Sequence, residues 1–253
     1  MIIVISLSAV IIQGKVLVAQ ESPALSSPVI SSQQDIHPRL ESLLKRYAQS
    51  DWQGTYHAPT VTAFEALIEG QPDALKACPI VLDSGCGTGE STRHIARRHP
   101  DAWVIGIDKS QHRLERTGSG TFPYHEGNIT WIRAELATFW RLARDHGWKL
   151  SHHYLLYPNP WPKPGQLQRR WHAHPVFSAM LALGGPLELR TNWSVYAREF
   201  AFSLEQVAGE TAATIEMGVE AETPISSPFE RKYRASGHRL FRVTSLLQRL
   251  PAG

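Results

Sequence analysis

The sequence PIVLDSGCGTG at residues 79–89 decides the fold of this chain. Its first half is a short apolar run, typical of a strand that is buried on both faces of a sheet. Its second half alternates glycine with small residues, so that the backbone can turn sharply and approach a ligand closely. A helical pattern follows over residues 90–99. We therefore predict a strand, a tight turn and a helix at this point.

The rest of the chain repeats the alternation of strand-like and helical patterns. Strands are predicted at 79–83, 103–108, 129–133, 154–157, 186–190, 213–219 and 240–246, and helices at 38–47, 90–99, 136–146, 175–183 and 195–207. Such alternation predicts an α/β fold with a doubly wound, mostly parallel seven-stranded sheet of the Rossmann-like kind. Ligands of such sheets bind outside the carboxyl ends of the strands.

Composition sets wide limits on the function. The chain has 253 residues, a formal net charge of +3 and two cysteines. The length suits one α/β domain with short extensions, and the mild excess of positive charge is compatible with a polyanionic partner without requiring one. Cys78 and Cys86 are interpreted as reduced thiols. No cysteines and histidines show zinc-ligand spacing, so no metal site is predicted.

The N-terminus differs from the rest of the chain. Residues 1–12 are apolar, but the run is too short for a transmembrane helix and no basic residue precedes it, as a secretory signal would require. Residues 21–34 are rich in serine and proline. We predict an extension at 1–35 that is disordered or dispensable, followed by the domain at 36–253. A membrane-targeting segment is the alternative for the apolar start, but the chemistry below favours a cytoplasmic protein away from membranes.

Acidic residues at strand ends point to the cofactor. The spacing of Gly85, Gly87 and Gly89 differs from the G-x-G-x-x-G of dinucleotide sites. S-adenosylmethionine carries an ammonium and a sulfonium but no phosphate, and Asp83 suits that charge. Asp108 ends the next strand, where a carboxylate can accept both ribose hydroxyls. For Glu135 two roles stay open, a position near the adenine and a cap of the following helix. The glycine turn, taken alone, is also compatible with an ordinary strand-turn-helix connection that binds no ligand.

Later motifs carry a narrower resemblance. The sequence YPNPWPK at 157–163 with arginines at 169–170, TNWSVYA at 191–197, and SPFER at 227–231 with Gly-His at 237–238 occur in that order. Together with the glycine turn they resemble bacterial tRNA guanine-N7 methyltransferases, which are class I S-adenosylmethionine-dependent enzymes. The resemblance extends from about residue 40 to residue 246.

That resemblance implies an RNA-binding enzyme of tRNA modification that forms 7-methylguanosine. It implies cofactor contacts at Asp83, Asp108 and Glu135, and a catalytic position at Asn159. The residues it implies for substrate binding are Lys163, Asn192, Ser227, Pro228, Phe229 and Glu230. Basic and aromatic residues also crowd the loop around Lys163 and Arg170, as in sites that meet phosphates and unpaired bases, so both side chains are predicted to contact tRNA phosphates.

Two departures bear on the substrate. The family has aspartate where this chain has Asn159 and Asn192. Guanine N7 carries a lone pair and no proton, so the site needs to orient the base rather than deprotonate it, and asparagine can accept a hydrogen bond or donate one to O6. An amino-group methyltransferase using Asn159-Pro160-Trp161 and a non-catalytic RNA-binding relative stay open as alternatives. The exact RNA and the oligomeric state are left open as well.

Overall fold

An eight-stranded sheet forms the body of the molecule. The computed structural model describes residues 11–12, 15–16, 26–49, 51–209, 213–217 and 227–247. The strands are β1 (Ile11–Ile12), β2 (Lys15–Val16), β3 (Ile80–Ser84), β4 (Trp103–Asp108), β5 (Tyr124–Glu126), β6 (Ile129–Arg133), β7 (Leu150–Leu156), β8 (Gly185–Thr191), β9 (Ala213–Met217) and β10 (Leu240–Leu247). The first two pair only with each other, and the remainder form the sheet.

The sheet is mostly parallel. Its strand order is β5-β6-β4-β3-β7-β8-β10-β9. The five strands from β6 to β8 run parallel, whereas β10 lies antiparallel to β8 and to β9, and β5 is antiparallel to β6. The sheet therefore has an inner parallel region whose strands end at one common edge.

Helices cover the sheet. They are α1 (Leu40–Tyr47), α2 (Ala58–Glu69), α3 (Glu90–Arg98), α4 (Gln111–Leu114), α5 (Leu136–Asp145), α6 (Phe177–Leu181), α7 (Ser194–Ala208) and α8 (Pro228–Ala235). Neighbouring strand residues separate into two apolar clusters, Leu82 and Ile105 in one and Val81 and Val104 in the other. Because successive side chains of a strand point to opposite faces, both faces are packed, as in a doubly wound fold.

The predicted fold class is confirmed, with local differences. All seven predicted strands are present, and β5 adds a short eighth strand at the edge. Helices α2, α4 and α8 occupy stretches for which we predicted no helix. Helix α2 buries only Thr60, Phe64 and Leu67, so its apolar stripe is narrow. Among the described residues, no helix is both long enough and apolar enough to span a bilayer.

Part of the predicted extension contacts the domain. Ser31 Oγ donates to the carbonyl oxygen of Pro162 at 2.6 Å, and Gln33 Nε2 donates to Glu199 at 2.7 Å. Asp35 pairs with Arg198 at 3.0 Å. These polar contacts link residues 31–35 to the domain. The boundary at residue 35 and the dispensability of residues 1–35 stay predictions. The interpretations of residues 1–10, 13–14 and 17–25 fall outside the described residues.

Candidate active site at the carboxyl edge of the sheet

The glycine turn after β3 is fixed by the neighbouring strand. The amides of Gly85 and Cys86 donate to the carbonyl of Ile107 at 2.8 and 2.9 Å. Gly89 has φ +73°, and a Cβ there would lie 2.6 Å from both Thr117 Cγ2 and Trp131 Nε1. Only glycine fits that position without strain. By contrast, a Cβ on Gly85 would meet no atom within 4 Å, so the turn presents open space on its outer side.

Asp83 lies buried beneath this turn. Its Oδ2 accepts hydrogen bonds from Ser91 Oγ at 2.7 Å and Thr92 Oγ1 at 2.8 Å. Its Oδ1 is buried without a partner among the described residues. Burial raises the pKa of Asp83 to about 6, although both hydroxyl hydrogen bonds lower it. A carboxylate with one unpartnered oxygen is suited to a nearby cation, which would stabilise its ionised form.

Asp108 joins the end of β4 to the same turn. Its Oδ2 accepts from the Gly87 amide at 3.0 Å, and its Oδ1 accepts from the Ser110 amide at 2.8 Å. The carboxylate is only 5% exposed and lies 3.4 Å from Arg113. Each carboxylate oxygen has a second lone pair, so Asp108 can hold the turn and still accept a hydroxyl hydrogen.

Glu135 caps helix α5. Its two carboxylate oxygens accept from the amides of Ala137 and Thr138 at 2.9 and 2.7 Å, and its own amide donates to Thr60 at 2.8 Å. Of the two roles we considered, helix capping is the one that the structure displays. A contact to adenine stays a prediction, because Glu135 also lines the neighbouring cleft.

A cleft of about 610 Å³ opens between the start of α2 and the ends of β4 and β6. Its lining includes His57, Lys109, Phe122 and Glu135. That volume lies within the usual range for small-molecule sites. Helix α2 closes one side of the cleft, and the signal that could have revealed it is Pro59 in the first turn, a favoured position for proline in helices.

The loop after β7 presents Asn159 and Lys163 to solvent. Tyr157 has φ +51° and Trp161 has φ +45°. Bulky residues rarely adopt this left-handed conformation, and such strain persists where the surroundings enforce it. Asn159 Oδ1 accepts from the Trp161 amide at 3.3 Å, which leaves the side-chain NH₂ to donate elsewhere. The structure therefore exposes the two residues expected for catalysis and RNA binding on one loop.

The prediction that Arg170 contacts a tRNA phosphate is wrong. Its guanidinium is fully buried and pairs with Glu199 at 2.5 Å. It also donates to Gln33 Oε1 at 3.1 Å and to the Trp161 carbonyl at 3.1 and 3.2 Å. A phosphate cannot reach a cation enclosed in this way. Arg170 instead holds the strained end of the Asn159 loop.

The substrate contact that the resemblance implies for Glu230 is also corrected. It is 2% exposed, and its carboxylate pairs with Arg190 at 2.8 Å and with Arg234 at 2.6 Å. Ser227 accepts from the Glu230 amide at 3.1 Å and so caps helix α8. The ion pairs occupy both carboxylate oxygens of Glu230, which therefore stabilises the fold. A substrate contact at Ser227 stays a prediction. Pro228 is half-buried, and Phe229 is 43% exposed, so these two stay accessible to RNA.

Asn192 directly follows β8 and is half-buried. Its Nδ2 lies 3.1 Å from Nδ1 of His238. The Tyr157 amide donates to the carbonyl of Arg190 at 2.8 Å, so the start of the Asn159 loop lies beside the end of β8. The structure thus groups the acids at the ends of β3 and β4, and places the two asparagines at the ends of β7 and β8. The sequence did not reveal the role of His238.

This strand order, with its ligand cleft at the carboxyl edge, defines a class I methyltransferase fold. A crystal structure of the 16S rRNA methyltransferase KamB superimposes with a TM-score of 0.52 at 16% identity, and the match covers 77% of this chain and 96% of that one. A family model described as "Putative methyltransferase" matches residues 77–243. The chain belongs to this methyltransferase family.

Named relatives share much of the chain. The tRNA (guanine-N(7)-)-methyltransferase of Brevibacillus brevis is 25% identical over 174 residues, which is 65% of this chain and 79% of that protein. The protein of the same name from Rubrobacter xylanophilus is 29% identical over 171 residues, covering 65% of this chain and 74% of that protein. The family-model match at residues 77–243 includes both groups of strand ends.

Proposed function

We propose that this protein methylates N7 of guanine in tRNA with S-adenosylmethionine, as a cytoplasmic enzyme. Membership in a methyltransferase family supports transfer of a methyl group. The names of the relatives support guanine N7 of tRNA as the acceptor. The observation that carries the proposal is the exposed Asn159 loop, held beside the end of β8 at the edge where the glycine turn and the cleft lie.

The residues around the glycine turn fit S-adenosylmethionine. The unpartnered Oδ1 of Asp83 suits the positive charge of the methionine part, and the open space at Gly85 admits a ligand. Asp108 would accept ribose hydroxyls, and the cleft beside Glu135 would take the adenine. When bound, this cosubstrate supplies a methyl group activated by its sulfonium.

The protein's part in the reaction is orientation. Guanine N7 has a lone pair and no proton, so no side chain needs to act as a base. Asn159 would hold the base edge, with its NH₂ donating to O6 or its oxygen accepting a ring N–H. Such positioning is worth roughly 7–11 kcal/mol where the reacting atoms are well held. Lys163 is exposed and would meet a phosphate.

The proposal is tested on the Asn159 side chain. Asn159→Ala should lower kcat on tRNA by removing a positioning contact, while Asn159→Asp should preserve or raise it, because aspartate is the residue that the resemblance expects. Binding of S-adenosylmethionine should be unchanged in both variants, since Asn159 lies outside the glycine turn and the cleft. Equal kcat values for wild type and Asn159→Ala would show that Asn159 does not orient the base.

Amino-group methylation is the second candidate. The Asn159 amide oxygen accepts from the Trp161 amide, so the Asn-Pro-Trp motif forms a compact turn, and the second lone pair of that oxygen could accept from an exocyclic amino group. The two candidates are distinguished by methylating tRNA with labelled S-adenosylmethionine and digesting it to nucleosides. A methyl group on an exocyclic amino group and one on guanine N7 give different methylated nucleosides.

A further inference from the structure

Asn192 stands at one end of a hydrogen-bonded chain that reaches the N-terminal segment. Its Nδ2 lies 3.1 Å from His238 Nδ1, and His238 Nε2 lies 2.9 Å from the carbonyl oxygen of Ser26. The His238 ring stacks on Tyr233 with a centroid distance of 5.2 Å and an interplanar angle of 15°. The imidazole is therefore held in place by stacking and by a partner on each nitrogen.

The partners decide which nitrogen of His238 carries the hydrogen. A carbonyl oxygen can only accept, so Nε2 must donate to Ser26. In the neutral ring, Nδ1 then has a lone pair and must accept. Asn192 can satisfy it only by offering its NH₂ group, which fixes the orientation of the amide. The amide oxygen is thereby turned away from His238.

The amide oxygen of Asn192 is important because the asparagine stands where the resemblance expects an aspartate, whose oxygens accept hydrogen bonds. Asn192 Oδ1 has no hydrogen-bond partner among the described residues, and the resemblance expects an aspartate here. We propose that His238 is a positioning residue that fixes the Asn192 amide with its oxygen available to a substrate N–H, so that asparagine takes the acceptor role of the aspartate. This inference rests on the proposed function, because the guanine proposed at Asn159 would lie close to Asn192: the start of the Asn159 loop is hydrogen-bonded to the end of β8.

The N-terminal segment completes the arrangement. The Ser26 amide donates to Ser236 Oγ at 2.9 Å, and that hydroxyl donates to the carbonyl of Lys232 at 2.7 Å. The end of helix α8 therefore holds the Ser26 backbone in place beside His238. Residues before the family match thus take part in orienting a site residue.

His238→Phe tests the inference, because phenylalanine retains the ring that stacks on Tyr233 and removes both nitrogens. We expect kcat/KM for tRNA methylation to fall about tenfold, as the loss of one oriented hydrogen bond predicts. Asn192→Asp in the same background should restore most of that loss, because either carboxylate oxygen can accept and no orientation is needed. His146→Phe is the control, since it changes an exposed histidine at the far end of α5.

The double variant separates positioning from a structural role. If Asn192→Asp alone is active but fails to rescue His238→Phe, the positioning role is refuted. Nitrogen NMR of the wild-type ring should find the hydrogen on Nε2 of His238, and a hydrogen on Nδ1 in a neutral ring would overturn the inference without reference to activity. Absence of 7-methylguanosine from wild-type reactions would refute the proposed function, and the ring tautomer would still decide the amide orientation.

Discussion

Replacement of Arg170 by methionine distinguishes the structural role of this arginine from an RNA contact. The side chains of Arg170 and Glu199 are both 0% exposed and lie 2.5 Å apart, and His172 Nε2 lies 3.0 Å from the same carboxylate. Breaking a buried ion pair by removing one partner costs about 3–5 kcal/mol, because the other charge is left uncompensated. For a domain of this size that corresponds to a fall in Tm of roughly 6–20 °C.

The effect should depend on pH. Burial raises the pKa of Glu199, but the His172 hydrogen bond and the positive charge of Arg170 outweigh it and hold the pKa at about 2. In the wild type this carboxylate contributes stability above its ordinary pKa of 4.5, and that stability is lost as the pH falls toward 2. In Arg170→Met the Glu199 carboxyl loses its arginine partner and takes up a proton more readily, so the variant gains stability as the pH falls. The difference in unfolding free energy between wild type and Arg170→Met should therefore become smaller as the pH is lowered from 7.5 to 5.

Arg169→Met is the matched control. Arg169 is exposed, and its guanidinium lies 4.8 Å from the Trp161 ring centroid. Urea unfolding at both pH values, with tRNA binding measured over a series of salt concentrations, checks the pair of variants. The structural role would be refuted if Arg170→Met were as stable as wild type and the salt dependence of its tRNA binding fell by about one unit of slope. That result would support the phosphate contact instead.

Three further predictions follow from the site and the N-terminal segment. Asp108→Ala should weaken S-adenosylmethionine binding by roughly 10- to 150-fold, from charge-assisted bonds worth about 1.5–3 kcal/mol, and unchanged affinity in calorimetry would contradict its role. Lys163→Ala should lower tRNA affinity and reduce the salt slope by about one unit, with no change in Tm; an unchanged slope would contradict a phosphate contact. Deletion of residues 1–25 should leave Tm and activity unchanged, whereas deletion of 1–34 should lower both because it removes Gln33 from the Glu199 carboxylate; equal behaviour of the two truncations would contradict a structural role for residues 26–34.

The sheet was readable from the sequence because its strands are short apolar runs with clear ends. The prediction of 103–108 matches β4 residue for residue, since the run WVIGID is wholly buried and ends in an acid. Helix α2 was not readable, because its burial depends on packing against α5 and its own apolar pattern is weak. Local pattern therefore located the elements of the core and missed the helix that closes the cleft.

The candidate site was readable in part. The motifs indicated Asp108 and Asn159, and the structure gives each a position that suits its expected role. The doublet Arg169-Arg170 looked like a basic surface, but one arginine is exposed and the other is buried against Glu199, which is 29 positions away in the sequence. Such a pairing depends on the tertiary fold, so motif and composition could not reveal it.

The measurement that tests the central claim most directly is methyl transfer from labelled S-adenosylmethionine to unmodified tRNA, followed by nucleoside analysis. We expect the label to appear in 7-methylguanosine and Asn159→Ala to slow its appearance. Label in the amino group of adenosine or cytidine would contradict the N7 assignment. No transfer to any RNA, together with no binding of the cosubstrate in calorimetry, would contradict the enzymatic function itself.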